Sequence, residues 1–157
     1  MWLKFCKFVG VVVACATPLH GHGALGNGAF VAGTSAQVDA RVASYRPMQI
    51  AQGYRVSVVE LNNNTVVQEF LDPRGRVFAV RWSGPDLPDM GMLLGPYMPL
   101  FKAAVQAGRH SGKRGGPVVV QSDGLFMVST GVMGAFQGYA YLEALVPPGV
   151  NIHTLLK

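Results

Sequence analysis

Two carboxylates near the middle of the chain are the first candidates for chemistry. Asp86 and Asp89 lie on either side of Pro88 in the segment SGPDLPDM, and closely spaced carboxyl groups can perform general acid–base catalysis. Helix capping explains the same positions, because proline suits the first turn of a helix and negative charge is favoured at its N-terminus. Since no nucleophile or base stands near them, we interpret both as capping residues, and an enzyme that uses Asp86/Asp89 is the alternative.

Two histidines, His110 and His153, are candidates for a metal ligand or a general base. One lies in the predicted loop at residues 109–116 and the other in the C-terminal tail. Neither belongs to an H-E-x-x-H motif or to a cysteine–histidine cluster. The sequence therefore predicts surface histidines and neither a metal nor a cofactor; an enzyme that uses a histidine stays as an alternative.

A basic, glycine-rich segment, RHSGKRGG at residues 109–116, is a candidate anion site. Glycines expose backbone N–H groups, and the cations Arg109, Lys113 and Arg114 attract phosphate. The segment has neither the G-K-S/T ending of a phosphate-binding loop nor an aromatic residue for base stacking. We interpret it as a solvated loop and do not expect a nucleic-acid partner; anion or nucleic-acid binding through this loop is the alternative.

The beginning of the chain has the organisation of a secretory signal peptide. Lys4 and Lys7 precede an apolar run at residues 8–16, and small residues precede a cleavage point after Gly23. The run is too short to span a bilayer, which takes about 20 residues. Loss of residues 1–23 would remove both cysteines and lower the formal charge from +5 to +3. We therefore expect an exported protein, periplasmic or extracellular, without a membrane span or a disulfide.

A second form of processing is an alternative. The tetrapeptide VVAC, which ends at Cys15, loosely matches the pattern of a lipidated cysteine that becomes the new N-terminus. The short apolar run suits either kind of signal. A lipoprotein anchored through Cys15 is therefore the minor alternative to a soluble exported protein.

The sequence predicts that an α+β fold positions these candidate residues. The whole chain of 157 residues is 50% hydrophobic and 13% charged, which suits one globular domain. Alternation of β-branched residues predicts a three-stranded meander, apolar spacing from Met90 predicts a helix broken near Pro96, and alternation then predicts two to three further strands. The result is an antiparallel sheet packed on one main helix. The predicted strands cover 54–60, 65–71, 76–82, 118–121, 125–130 and 135–142.

The predicted division of the chain follows from these elements. It comprises a signal peptide at 1–23, a flexible Gly- and Ser-containing leader at 24–51, one α+β domain at 52–150 and a C-terminal tail at 151–157. Within the third predicted strand, alternation places Phe78, Val80 and Trp82 on one face and Val77, Ala79 and Arg81 on the other.

One long stretch resembles a known family. The residues DPRGRVFAVRWSGPDLPDM, followed by LLGPY, resemble the domain of unknown function 2844 family of small exported bacterial proteins. The likeness continues in ALG after residue 23, in GVMGAF and in PGV near the C-terminus. The resemblance implies an exported, single-domain bacterial protein and carries over no activity, cofactor or catalytic residue. Relatives often have a histidine where this chain has Val132.

The sequence thus favours a non-enzymatic binding or interaction module of the bacterial envelope. The partner would be an envelope protein or a small ligand that binds at an exposed face or edge of the sheet. The candidate surface residues are Arg81, Trp82, Arg109, Lys113 and Arg114, and packing does not require the charge of Arg81. No residue is predicted to be catalytic, cofactor-binding or metal-binding.

Overall fold

Seven strands form one antiparallel sheet in the computed structural model, which describes residues 25–29, 42–51, 53–110 and 116–157. The strand order across the sheet is β1-β2-β3-β4-β7-β6-β5. The strands are β1 (Val42–Ala51), β2 (Tyr54–Leu61), β3 (Val66–Leu71), β4 (Val77–Gly84), β5 (Val118–Ser122), β6 (Leu125–Val132) and β7 (Ala135–Leu142).

The connections explain this order. The chain runs as a meander from β1 to β4, crosses the sheet through the helical region, and returns as a second meander from β5 to β7, so that β7 pairs with β4. The tight β5–β6 hairpin depends on Asp123 and Gly124, whose φ angles of 51° and 73° suit an Asp-Gly turn. The predicted α+β class, an antiparallel sheet with one main helix, is confirmed, whereas the predicted three-stranded first meander has four strands.

The helical region is broken, as predicted. Helix α1 (Met90–Leu94) is followed by a 3-10 turn (Gly95–Tyr97) that contains Pro96, and the main helix α2 (Met98–His110) begins beyond it. Pro99 lies in the first turn of α2, where a missing N–H costs no hydrogen bond. A short helix, α3 (Ile152–Leu155), lies in the predicted C-terminal tail.

Strand β1 differs from the sequence prediction, which placed a flexible leader at 24–51 and began the domain at residue 52. Residues 42–51 instead pair antiparallel with β2, with register irregularities on either side of Arg46. The segment 25–29 is also bound to the domain by backbone hydrogen bonds. The Leu25 N–H donates to the Leu93 carbonyl at 2.9 Å, and the Gly26 N–H donates to the Val77 carbonyl at 2.8 Å. The motif ALG therefore supplies a core residue, since Leu25 is fully buried.

The two faces of the sheet have different coverings. The inner face packs against α1, α2 and Leu25, and this core includes Trp82, Leu93 and Phe101. The outer face is covered at one end by residues 143–157, whose Leu155 and Leu156 pack with Phe70 and Phe78. The sheet is therefore enclosed on one face and partly open on the other.

A β-bulge corrects one predicted face. Leu71 pairs with Val77, whereas Phe70 pairs with Ala79, so Phe78 is the extra residue of β4. Val77 consequently packs in the inner core and Phe78 in the outer one, the reverse of simple alternation. The prediction that Val80 and Trp82 share one face, with Ala79 and Arg81 on the other, agrees with the structure.

Candidate ligand-binding pocket

An apolar pocket of about 310 Å³ lies between the inner face of β2 and β3 and the segment that leads into α1. Its floor is the cross-strand pair Val59–Val67, which is buried. Its other wall is Met92 and Leu93 of α1. The remaining lining residues are Leu61, Asn62, Asn63, Leu87, Pro88 and Asp89.

Two local contacts hold the walls together. The Thr65 hydroxyl donates a hydrogen bond to the Asp86 carbonyl at 3.0 Å, which ties the start of β3 to the segment before α1. Gly84 allows this approach, because a Cβ atom there would lie 2.5 Å from the Thr65 Cα atom. The walls of the pocket are thus held together by contacts within the fold.

The mouth of the pocket combines an exposed apolar side chain with polar groups. Leu87 lines the pocket and is 38% exposed. The Asn63 side-chain oxygen Oδ1 accepts from the Thr65 N–H at 3.1 Å, so that the β2–β3 turn is fixed at the rim. A mainly apolar cleft with a few polar groups at its rim is typical of small-molecule sites.

Only one of the two aspartates takes the capping role that the sequence favoured for both. Asp89 is the N-cap of α1, and its Oδ1 atom accepts from the Met92 N–H at 3.1 Å. Asp86 is exposed, and its backbone carbonyl makes the bond to Thr65. Of the two, only Asp89 lines the pocket.

The two histidines are not brought together. His110 ends α2 on the inner side of the sheet, where its Nδ1 atom lies 2.7 Å from the Gln106 carbonyl oxygen. His153 belongs to α3, which packs on the outer side. No group of three His, Cys, Asp or Glu side chains suited to a metal ion occurs in the described ranges.

The predicted surface residues are separated by the sheet. Arg81 lies on the outer face and borders a hollow of about 190 Å³ with Val66, Gln68 and Ser83. Trp82 is buried in the inner core, being only 1% exposed, so its side chain is not part of a surface site. Arg109 is exposed at the end of α2. Lys113 and Arg114 lie outside the described residues.

Sequence reasoning identified Asp89 but missed the apolar lining. Leu61, Leu87 and Met92 come from three different elements, and nothing in their spacing marks a common cavity. The one available signal was Leu87, an apolar residue in a proline-rich connection where solvent exposure is expected.

Comparisons with known proteins identify a family and no more. The family model described as "Protein of unknown function (DUF2844)" matches residues 22–155. Neither a curated protein nor a solved structure matches the chain. Along the described residues, no helix is long and apolar enough to cross a membrane.

Proposed function

We propose that this chain, which belongs to the DUF2844 family of proteins of unknown function, is an exported binding module of the bacterial envelope. Its ligand is a small molecule with an apolar portion, which enters the pocket between β2, β3 and α1. The observation that carries this proposal is the apolar cavity of about 310 Å³ whose walls are already in place.

The size and lining of the pocket support a small apolar ligand. A volume of about 310 Å³ lies at the lower end of the range of about 300–1,000 Å³ that is typical of ligand sites. Burial of apolar ligand surface against Val59, Val67 and Leu93 contributes about 25 cal/mol per Å². The fixed walls reduce the entropy lost on binding, because few side chains need to be ordered.

The role of Asp89 favours binding over acid–base catalysis. Its Oδ1 atom is engaged by the Met92 N–H, and the neighbouring wall is apolar. An acid–base pair requires a second titratable group within reach of the same substrate atom, whereas Asp86 does not line this pocket. An enzyme that uses Asp86/Asp89 remains the second candidate, since one of the two carboxylates does lie at the rim.

The proposal of export rests on the sequence. Lys4 and Lys7, the apolar run at 8–16 and the small residues up to Gly23 have the order of a signal peptide. Cleavage after Gly23 would leave Leu25 as the second residue of the mature chain, and Leu25 is fully buried in the inner core. The family resemblance to exported proteins supports the same conclusion.

Binding of a neutral fluorescent apolar probe, 1-N-phenylnaphthylamine, tests the pocket. We expect saturable binding and an increase in melting temperature, because a ligand that binds only the folded state stabilises it. Leu87→Lys places a charge at the mouth and Met92→Trp fills the cavity, and each should weaken binding at least about tenfold. Competition with alkyl carboxylates, alcohols and amines of equal chain length then identifies the preferred polar end.

Met133→Lys is the matched control, because Met133 is 96% exposed at the β6–β7 turn, does not line the pocket and receives the same charge. Circular dichroism establishes that every variant is folded. Equal probe binding by the wild type, Leu87→Lys and Met92→Trp would show that the pocket is not the site. Equal weakening by Met133→Lys would show non-specific adsorption.

A further inference from the structure

The outer face presents one continuous row of side chains across all seven strands. Direct cross-strand pairing places one residue from each strand in this row. At a strand spacing of about 4.8 Å, the row is about 29 Å long. From β1 to β5 in the spatial order of the sheet, its members are Arg46, Val58, Gln68, Arg81, Tyr139, Val128 and Val119.

Two arginines on this face have no partners among the described residues. Arg81, in the middle of the row, makes neither a hydrogen bond nor an ion pair with the described part of the chain, and the same is true of the exposed Arg46. Lys157 and His153 border a hollow of about 160 Å³ that Tyr139 also lines. An unpaired arginine on a sheet face is suited to a carboxylate, which it binds through two parallel hydrogen bonds.

Acidic groups lie at the margins of the face. Glu60 accepts from the Ser44 hydroxyl at 3.1 Å in a neighbouring row. Glu143 follows the end of β7. Burial raises the pKa of the nearby Tyr141, and the charges of Glu143 and Tyr139 raise it further. The centre of the face around Arg81 is therefore positively charged, which complements an anionic ligand.

The rows on the two sides of this one differ: one supplies neutral hydrogen-bonding groups and the other supplies aromatic rings. Ser83, Gln137 and Thr130 are consecutive cross-strand neighbours on the outer face. Phe126 stacks with Tyr139 at a centroid distance of 6.2 Å and with Tyr141 at 5.3 Å. Hydroxyl and amide side chains next to rings fit a ligand that carries both hydroxyl groups and apolar C–H surface.

This combination favours a polysaccharide over a peptide. The main-chain groups inside the sheet are already paired in the ladder, so a peptide lying on the face would find no backbone partners, and peptides instead add at edges. Sugar rings carry hydroxyl groups along their whole length and can pair with the side chains of the face. The unpaired arginines favour an acidic sugar over a neutral one.

We propose that the outer face binds an acidic polysaccharide, a chain of carboxylate-bearing sugar rings that runs across the strands along the row. Arg81 pairs with a sugar carboxylate, Gln68, Ser83 and Gln137 bind hydroxyl groups, and Tyr139 packs against the C–H surface of a ring. This site lies on the opposite side of the sheet from the apolar pocket, so the two proposals succeed or fail independently.

Binding of a galacturonate oligomer long enough to span the row tests the proposal by calorimetry. The methyl-esterified oligomer is the matched ligand control, because it keeps the rings and loses the charge. We expect binding of the free acid only, with affinity that falls as salt rises. Arg81→Gln should lower the affinity about tenfold or more, since a charge-assisted bidentate pair is lost.

Arg74→Gln is the matched protein control, because Arg74 is an exposed cation in the β3–β4 turn, away from the row. It should leave the affinity within about twofold. Absence of binding, equal binding of the esterified oligomer, or equal losses in Arg81→Gln and Arg74→Gln would each overturn the proposal. Tighter binding of polyglutamate than of the galacturonate oligomer would also overturn it, in favour of an acidic peptide.

Discussion

Gly138 of β7 lies directly opposite Trp82 of β4, and the indole ring occupies the space where a side chain at residue 138 would begin. The two residues are cross-strand partners on the inner face. A Cβ atom at residue 138 would overlap the ring and would lie 2.5 Å from the Val128 carbonyl oxygen. The indole Nε1 atom is buried without a hydrogen-bond partner among the described residues, so that packing holds the ring.

Gly138→Ala should therefore destabilise the protein. Overpacking of a well-filled core costs about 1–3 kcal/mol, because side chains and backbone must shift. Gly108→Ala on α2 is the control of opposite sign, since open space surrounds that position. Replacement of a helical glycine by alanine should raise the free energy of unfolding by about 0.5–1 kcal/mol. Denaturant unfolding measures both changes. Equal stability of Gly138→Ala and the wild type would mean that Trp82 is less tightly packed than the structure indicates.

The β3–β4 turn contains an ion pair that should make stability depend on pH. The Arg76 Nη2 atom lies 2.8 Å from the Asp72 Oδ2 atom, and the Arg76 backbone N–H donates to Oδ1 at 2.9 Å. Burial raises the pKa of Asp72, but the hydrogen bonds and the charge of Arg76 outweigh it, so the pKa lies below its ordinary value of 3.8. The stabilisation is therefore complete above that value and is lost as the pH falls through the folded-state pKa.

Asp72→Asn should lower the free energy of unfolding at neutral pH by about 1–3 kcal/mol, because a buried charge-assisted network is broken. The difference from the wild type should shrink in acid, as wild-type Asp72 becomes protonated. Asp86→Asn removes one exposed carboxylate and should change stability by less than about 0.5 kcal/mol. A difference between the wild type and Asp72→Asn that stays constant down to about pH 2 would contradict the linkage.

Asp89 should contribute to stability as an N-cap. Asp89→Ala removes the acceptor of the Met92 N–H and should cost about 1 kcal/mol, whereas Asp89→Asn keeps a capping oxygen and should cost less. Thermal unfolding of the two variants measures the difference. Equal losses in Asp89→Asn and Asp89→Ala would show that α1 requires the carboxylate charge and not merely a capping oxygen.

The strands that alternate clearly were predictable, whereas β1 was not. Its sequence VASYRPMQIA contains Pro47, which interrupts the sequence pattern expected of a strand. Its pairing with β2 is also irregular beyond Arg46. A proline is acceptable there because β1 is an edge strand of the described sheet, where a missing N–H leaves no ladder bond unmade. Pairing with β2, which no local pattern reveals, makes this segment a strand.

Contacts between distant segments also decide which side chains share a sheet face and which residues line the pocket, so local sequence could not predict either. The bulge at Phe78 arises from pairing with β3, so alternation within β4 could not place Val77 and Phe78 correctly. Leu61 and Met92 meet in the pocket through tertiary packing, in which α1 lies on the sheet and Thr65 is bonded to the segment before α1. By contrast, the capping role of Asp89 follows from local sequence, and the structure agrees with it.

The mature N-terminus is the prediction on which the cellular role depends. We expect the protein recovered from its native cell to begin at Ala24, in the soluble envelope fraction, with the mass of residues 24–157, because the preceding residues have the order of a cleaved signal. Intact-mass spectrometry of each cell fraction measures this. A lipidated chain that begins at Cys15 would establish the membrane-anchored alternative, and an uncleaved cytoplasmic chain would refute export. Gly23→Arg should block cleavage, whereas Gly28→Arg, beyond the cleavage point, should not.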